Sequence, residues 1–331
     1  MPNTAAVLTS AGVVELRNRP VPLPGEGEAI VRIRSVGVSE LDVARFEGTW
    51  DRSPGWGAVL GHEATGEVVG VGAGVTMVGL GDRVAIEPGA PCRRCAACRR
   101  GCPRLCAQLA FFIPPLDDGF LVRYAAIDEW QLHRLPDLIS FDDGVLIEPL
   151  AVALRAVERA ALRAGDRVLV TGAGPMGLLA AEAARALGAD TVRLADGSAT
   201  RLDIASSRGF EVEDGGAGSE VDVLLECSGS VATLLRSIER LADGGRAVTV
   251  CVSASDDTVT VPRDDAREIS VARANRYQFT WLLAVELAST ARIELDGIVS
   301  HGFGMARAAE AFRLAAGTPD AMKVVIHPGD D

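Results

Sequence analysis

Lysine is almost missing from this chain. Among 331 residues there is one, Lys323, against 32 arginines. Schiff-base chemistry therefore has a single nucleophile to draw on. That residue lies in a strand-like run, 322–327, where a structural role is expected. Histidine is scarce too: His62, His133, His301 and His327 are the only four, so the search for an imidazole acid or base is short. There is no basic excess. The net charge is −12, which argues against nucleic acid or an anionic membrane surface as a partner. No apolar run reaches the ~20 residues of a membrane span. The opening Met-Pro-Asn-Thr-Ala has neither the basic nor the apolar region of a secretory signal, and a cytoplasmic protein is expected. In that compartment the seven cysteines read as metal ligands or buried thiols, not disulfides.

What is present is the composition of a globular protein, 48% hydrophobic and 24% charged, long enough for two domains. Residues 1–90 alternate short apolar runs with Pro/Gly clusters, the pattern of a compact β-domain. Residues 91–106 are a cysteine-rich lobe, and 107–147 return to strands and loops. Pro149 suits the first turn of a helix over 151–162. From 167 to about 274 the pattern becomes strand–helix–strand. Strands are expected at 167–171, 191–195, 221–226, 246–252 and 269–272, with helices at 177–187, 200–207 and 231–241. That is a doubly wound parallel sheet. Helices at 280–289 and 306–316 and a strand at 323–327 close the chain.

Residues 168–177 read Val-Leu-Val-Thr-Gly-Ala-Gly-Pro-Met-Gly. Gly172, Gly174 and Gly177 give the spacing G-x-G-x-x-G between a strand and a helix. The first glycine permits the tight turn, the second lets a pyrophosphate approach the backbone, and the third lets helix and strand pack closely. The helix N-terminus, beginning around Pro175 and Met176, offers free N–H groups to the anion. A second strand ends in Asp196, roughly 20 residues past the middle glycine, where an acid holds the adenosine ribose. An acid there repels a 2′-phosphate, so NAD is favoured over NADP.

Cys92, Cys95, Cys98 and Cys106 have the spacing C-x2-C-x2-C-x7-C. Four thiolates so close in sequence can surround one tetrahedral zinc ion, and a closed four-thiolate site is structural. Cys102 is an extra thiol within the lobe. Cys227 and Cys251 read as small core residues.

Gly61-His62-Glu63, the cysteine lobe, Glu148-Pro149-Leu150 and the glycine turn follow one another in an order that resembles the medium-chain zinc-dependent alcohol dehydrogenase superfamily. The likeness is strongest to the sorbitol (polyol) dehydrogenase branch, through the stretches 111–119, 147–152 and 198–202 and through Arg276-Tyr277. The resemblance implies a GroES-like β-barrel catalytic domain, 1–150 with 276–331, carrying the zinc lobe at 91–106. It also implies a Rossmann domain over 151–275, and a homodimer or homotetramer. It places His62, Glu63 and Glu148 at a catalytic zinc or its water, Phe112, Arg276 and Tyr277 at a small hydroxylated substrate, and Arg201 beside the cofactor. Each has a plainer reading: a packed histidine, a helix N-terminal acid, core or interdomain packing.

The stretch 36–42 departs from the pattern of that branch. Ser39 stands where the resemblance implies a zinc-ligating cysteine, Glu40 replaces a glycine, and Leu41 replaces a hydroxyl residue that relays the substrate proton. A serine hydroxyl is a weak neutral donor to zinc, and Ser39 also fits a helix cap. One imidazole and two carboxylates remain. Three functions follow. The first is an NAD-dependent oxidoreductase acting on a polyol, sugar or cyclitol with a weakened catalytic zinc. The second is an NAD-retaining enzyme without that zinc, using Glu63, Glu148 or His62 as acid and base, in oxidation or in redox-neutral epimerisation or elimination. The third is a non-catalytic NAD-binding protein.

Overall fold

The strand Glu28–Gly37 is the spine of the first of two units. Its side chains are buried at almost every position, because it has neighbours on both edges. Glu63–Val71 pairs antiparallel along it, with Gly37 opposite Glu63. Lys323–His327 and Tyr124–Asp128 occupy parts of its other edge, both antiparallel. The seven-stranded sheet is completed by Arg83–Ile86, Leu132–Arg134 and Val299–Gly304. A three-stranded sheet, Val13–Arg19, Asn3–Ser10 and Ala58–Val59, lies alongside in the same unit. Val31, Ile33, Val68, Val84, Ile86, Phe120 and Phe312 form part of its shared core. The structure is a computed structural model and describes residues 2–50, 56–111, 118–214, 218–251, 267–318 and 321–329.

This unit comprises Met1–Glu148 and Leu295–Asp331, and the second comprises Pro149–Glu294. The chain thus leaves the first unit at Glu148–Pro149 and returns at Glu294–Leu295, later than the 275/276 junction read from the sequence. The reason is the helix Trp281–Ser289, whose N-terminal Thr280 Oγ1 donates to Ala151 O at 2.7 Å and so belongs with the second unit.

The second unit is a six-stranded parallel sheet. In spatial order the strands are Glu211–Glu213, Thr191–Ala195, Arg167–Thr171, Val221–Glu226, Leu241–Thr249 and Ser270–Arg273. The order reverses between Arg167–Thr171 and Val221–Glu226, which makes that crevice the topological switch point of a doubly wound fold. Central strands read as continuous apolar runs because both faces are covered. Val168, Leu169, Val170, Val223 and Leu224 are all fully buried. The strand expected at 246–252 begins earlier, at Leu241. A register shift between Val221 and Val223 on its partner accommodates Gly244 (φ 75°) and Gly245 inside the strand.

Candidate active site

The short helix Glu40–Glu47 organises one end of the first unit. Ser39 caps it. Its Oγ accepts from Asp42 N–H at 3.1 Å and donates to Asp42 Oδ2 at 2.7 Å. Asp42 in turn accepts from Ser39 N–H, closing a capping box, and Gly48 ends the helix in the left-handed region. The hydroxyl of Ser39 is thereby committed to the helix end. Asp42 is completely buried. Its Oδ1 accepts from Gly61 N–H at 3.1 Å, and its Oδ2 lies 3.3 Å from His62 Nδ1. The contact is at ion-pair distance but not aligned as a hydrogen bond. A carboxylate facing one imidazole nitrogen leaves the other for a metal or substrate.

His62 sits in the turn before the strand that begins at Glu63. Glu148 projects from the first turn of the helix Ile147–Arg159, with Pro149 beside it. All three are buried, and their ligand atoms lie within 4.8 Å of one another. Burial alone would lower the His62 pKa. The charges of Asp42, Glu148 and Glu63 outweigh it and hold the imidazole up at about 9. Burial pushes the Glu148 carboxyl up to about 7, against the opposing pull of His62. Burial would also raise Asp42, but His62 and the donors from Ser39 and Gly61 keep it below its ordinary value.

Two partners of this cluster were not assigned to it from the sequence. One is Asp42, whose signal is the S-x-x-D capping pattern. The other is Lys323, whose signal is a lone lysine in an otherwise apolar strand. Lys323 is 5% exposed, and its Nζ donates to Glu63 Oε1 and Oε2 at 2.9 and 2.7 Å. A third contact reaches Val38 O at 3.4 Å. Gly37 makes room for this pair: a Cβ there would lie 2.2 Å from Glu63 Oε2.

The donor set His62, Glu63 and Glu148 fits a three-ligand zinc site. An ionised carboxylate offers about four lone-pair positions, so lysine contacts on both Glu63 oxygens do not exhaust it. The cysteine lobe fits zinc more simply. The Sγ atoms of Cys92, Cys95, Cys98 and Cys106 lie within 4.8 Å of one another. Cys95 Sγ and Cys98 Sγ are 3.5 Å apart, near the ~3.8 Å edge of a tetrahedron with zinc–sulfur bonds of about 2.3 Å. Backbone N–H groups of Cys92 and Cys95 donate to Cys106 Sγ and Cys92 Sγ at 3.3 and 3.4 Å, as thiolates require.

In the second unit the helix Pro175–Ala186 starts directly from the glycine turn, with Gly174 as its cap and Pro175 and Met176 in its first turn. Gly177 is obligatory: a Cβ would lie 1.7 Å from Gly172 O. Asp196 is part of the turn itself. Its Oδ2 accepts from Ala173 N–H at 2.7 Å and its Oδ1 from Ser198 N–H at 2.8 Å. Arg201 Nη1 stands 3.9 Å from Asp196 Oδ2. Arg276 and Tyr277 also belong to the second unit. Arg276 has φ 56°, and Tyr277 is buried edge-on against Trp281, with ring centroids 5.5 Å apart. Phe112 lies outside the described residues; the ring of its neighbour Phe111 is 6.1 Å from that of His62.

Residues 25–137 match the alcohol dehydrogenase GroES-like domain, and residues 175–290 match the zinc-binding dehydrogenase family. The sorbitol dehydrogenase of Gallus gallus is 37% identical over 330 residues, covering 94% of this chain and 92% of the relative. A zinc-binding dehydrogenase of Sinorhizobium meliloti, solved with NADP bound, superposes with a TM-score of 0.91 at 29% identity, covering 99% of this chain and 100% of that one. L-idonate 5-dehydrogenase of Escherichia coli superposes with a TM-score of 0.90 at 25% identity, covering 99% and 98%. Fold, glycine turn, cysteine lobe and these likenesses agree: the chain belongs to the medium-chain zinc-dependent alcohol dehydrogenase superfamily, in its polyol branch, and is an NAD(P)-binding, zinc-binding oxidoreductase of the alcohol/polyol dehydrogenase type.

Proposed function

We propose that this protein oxidises a secondary alcohol of a polyol, sugar or cyclitol, with NAD as the hydride acceptor. The observation that carries the reading is the buried convergence of His62, Glu63 and Glu148 within 4.8 Å, beside Asp42, which faces the inner nitrogen of His62. A zinc ion held by these three side chains would polarise the alcohol oxygen and lower its pKa. Glu148, buried in the cluster beside His62 and Glu63, or a water held there, would take the hydroxyl proton. Asp42 and Lys323 hold His62 and Glu63 in place. Gly172, Gly174 and Gly177 cradle the cofactor pyrophosphate. Asp196, at the end of the second strand, favours the ribose of NAD over the phosphorylated ribose of NADP, and Arg201 lies beside it. Phe112, Arg276 and Tyr277 are proposed to face substrate. Cytoplasmic location and a homodimer or homotetramer belong to the same reading. Among the described residues no helix is long and apolar enough to cross a membrane.

A second reading has its own support. Ser39 is sealed in the helix cap, and Lys323 already answers Glu63. Asp42 lies at ion-pair distance from His62 and Glu63 from Lys323, so two of the three carboxylates in the cluster have partners that do not depend on a catalytic zinc. That enzyme would keep its NAD and perform acid–base chemistry, with net oxidation or with redox-neutral epimerisation or elimination.

Metal analysis and a substrate panel separate these readings. About two zinc ions per chain, with NADH formed from a polyol, supports the first. About one, removed by substituting Cys95, sinks it. Product without net NADH identifies redox-neutral turnover, and no product from any hydroxylated compound leaves a non-catalytic NAD-binding protein.

A further inference from the structure

Arg45 is an anomaly. Two arginines among the described residues are buried outright, Arg45 at 5% and Arg155 at 8% exposure. Arg155 is answered by Glu158 at 2.6 Å. Arg45 has no such partner among the described residues: its Nε and Nη1 are sealed from solvent without an acceptor, and only the charge of Asp42 acts on the group. The side chain finds only the face of Trp50, 5.4 Å from its guanidinium carbon, and an aromatic face accepts no hydrogen bond of ordinary strength. A buried guanidinium without an acceptor is among the most unfavourable arrangements a core can hold. Such a group persists where something outside the fold completes it.

Its position says what that partner is near. Arg45 and Asp42 are three residues apart on the helix Glu40–Glu47, and both lie on its buried side. Asp42 does not pair with Arg45. Its oxygens are taken by Ser39, Gly61 and the approach of His62. The Cα atoms of Asp42 and Arg45 are therefore about one helical turn, ~5 Å, apart, and the Asp42 carboxylate that faces His62 acts electrostatically on the guanidinium. A hydroxylated chain with one hydroxyl at the His62–Glu63–Glu148 cluster has its next few carbons within reach of that distance.

We propose that Arg45 binds the anionic end of the substrate, so that the substrate is a polyol carrying a carboxylate or a phosphate and not a neutral polyol. The proposal rests on the oxidoreductase reading above and names the substrate class of the same site. A guanidinium is suited to either anion, because its fork of N–H donors matches two oxygens at once. The missing acceptors for Nε and Nη1 are supplied by the bound molecule.

The test uses the purified enzyme with NAD and three compounds: sorbitol, gluconate and sorbitol 6-phosphate. The proposal expects KM for gluconate or for the phosphate to lie at least ~10-fold below that for sorbitol, the scale of one charge-assisted hydrogen bond. Arg45→Gln should raise that KM at least ~10-fold with kcat little changed, and leave KM for sorbitol within about twofold. Arg45→Lys should keep part of the preference. Which anion responds separates carboxylate from phosphate. A preference for sorbitol, or an Arg45→Gln variant that loses thermal stability while all three KM values stay in proportion, overturns the proposal and leaves the polyol reading intact. Should none of the three yield NADH, calorimetric titration of the two anions decides. Binding abolished by Arg45→Gln upholds the anion site while the dehydrogenase reading fails, and no binding overturns the site.

Discussion

Replacing Ser39 by Cys sets two effects of opposite sign against each other. The hydroxyl makes a reciprocal pair with Asp42, accepting its N–H at 3.1 Å and donating to Oδ2 at 2.7 Å. Losing an N-cap of this kind costs about 0.5–2 kcal/mol. Metal-stripped Ser39→Cys protein should therefore melt a few degrees below the parent, with the loss confined to the unit built on Met1–Glu148. The gain concerns zinc. Loss of a mere orienting partner costs ~10–100-fold in metal affinity, so adding a thiolate to His62, Glu63 and Glu148 should bring at least that much. This corresponds to about 1.4–2.7 kcal/mol, enough to offset the lost cap when zinc is present. The assay is zinc per chain after dialysis against a graded series of chelators, run in parallel with calorimetry of stripped and loaded protein. The Cys95→Ser background separates the second site from the cysteine lobe. If Ser39→Cys retains no more zinc than the parent in that background, the three remaining side chains are not a metal site and the first functional reading fails.

Other perturbations follow from single contacts. Lys323→Met leaves the Glu63 carboxylate buried without its counter-charge, so stability by urea unfolding should fall by about 3–5 kcal/mol; a loss below about 1 kcal/mol would mean that the pair is not formed in solution. Gly177→Ala places a Cβ 1.7 Å from Gly172 O and must displace the turn. NADH binding, followed by fluorescence, should weaken at least ~10-fold, and unchanged affinity would remove the turn from the cofactor site. Asp142 is held below the ordinary carboxylate range by its hydrogen bonds from His327 and Ser35, against the opposing effect of burial. A depressed carboxylate contributes stability at neutral pH that is lost as pH falls through its folded value. Asp142→Asn should therefore lower the melting temperature at pH 7 and flatten its decline on the acid side; parallel melting curves from neutral pH to about pH 3 would refute this.

Much of the second unit is legible from the chain because its signals are local. The strands Arg167–Thr171, Thr191–Ala195 and Val221–Glu226 are short, mainly apolar runs ended by glycine or acid, and they form where the pattern puts them. The strand Leu241–Thr249 is harder, because a register shift on its partner hides two glycines inside it. The site in the first unit is only half visible. Gly61-His62-Glu63 and Glu148 announce themselves as chemistry-bearing residues. Asp42 looks like the capping-box partner of Ser39, which it is, and nothing in the local pattern says that the same carboxylate faces a histidine from another segment. Lys323 meets Glu63 from 260 positions away, through the register of two strands on opposite edges of Glu28–Gly37. Arg45 sits in a polar helix whose buried face only the folded sheet defines.

The solitary lysine also gives this protein a built-in reporter. A lysine-specific endoprotease has one peptide bond to cut, and an amine-reactive dye has one side chain to find. In the native state that side chain is locked against Glu63, in a strand hydrogen-bonded on both edges. Cleavage or labelling at Lys323 therefore counts openings of the candidate active site directly, one event per molecule, without any engineered tag. Ligands that settle into the His62–Glu63–Glu148 cluster should slow that count in proportion to their occupancy. A substrate can then be sought by protection from a single cut, before any turnover has been measured.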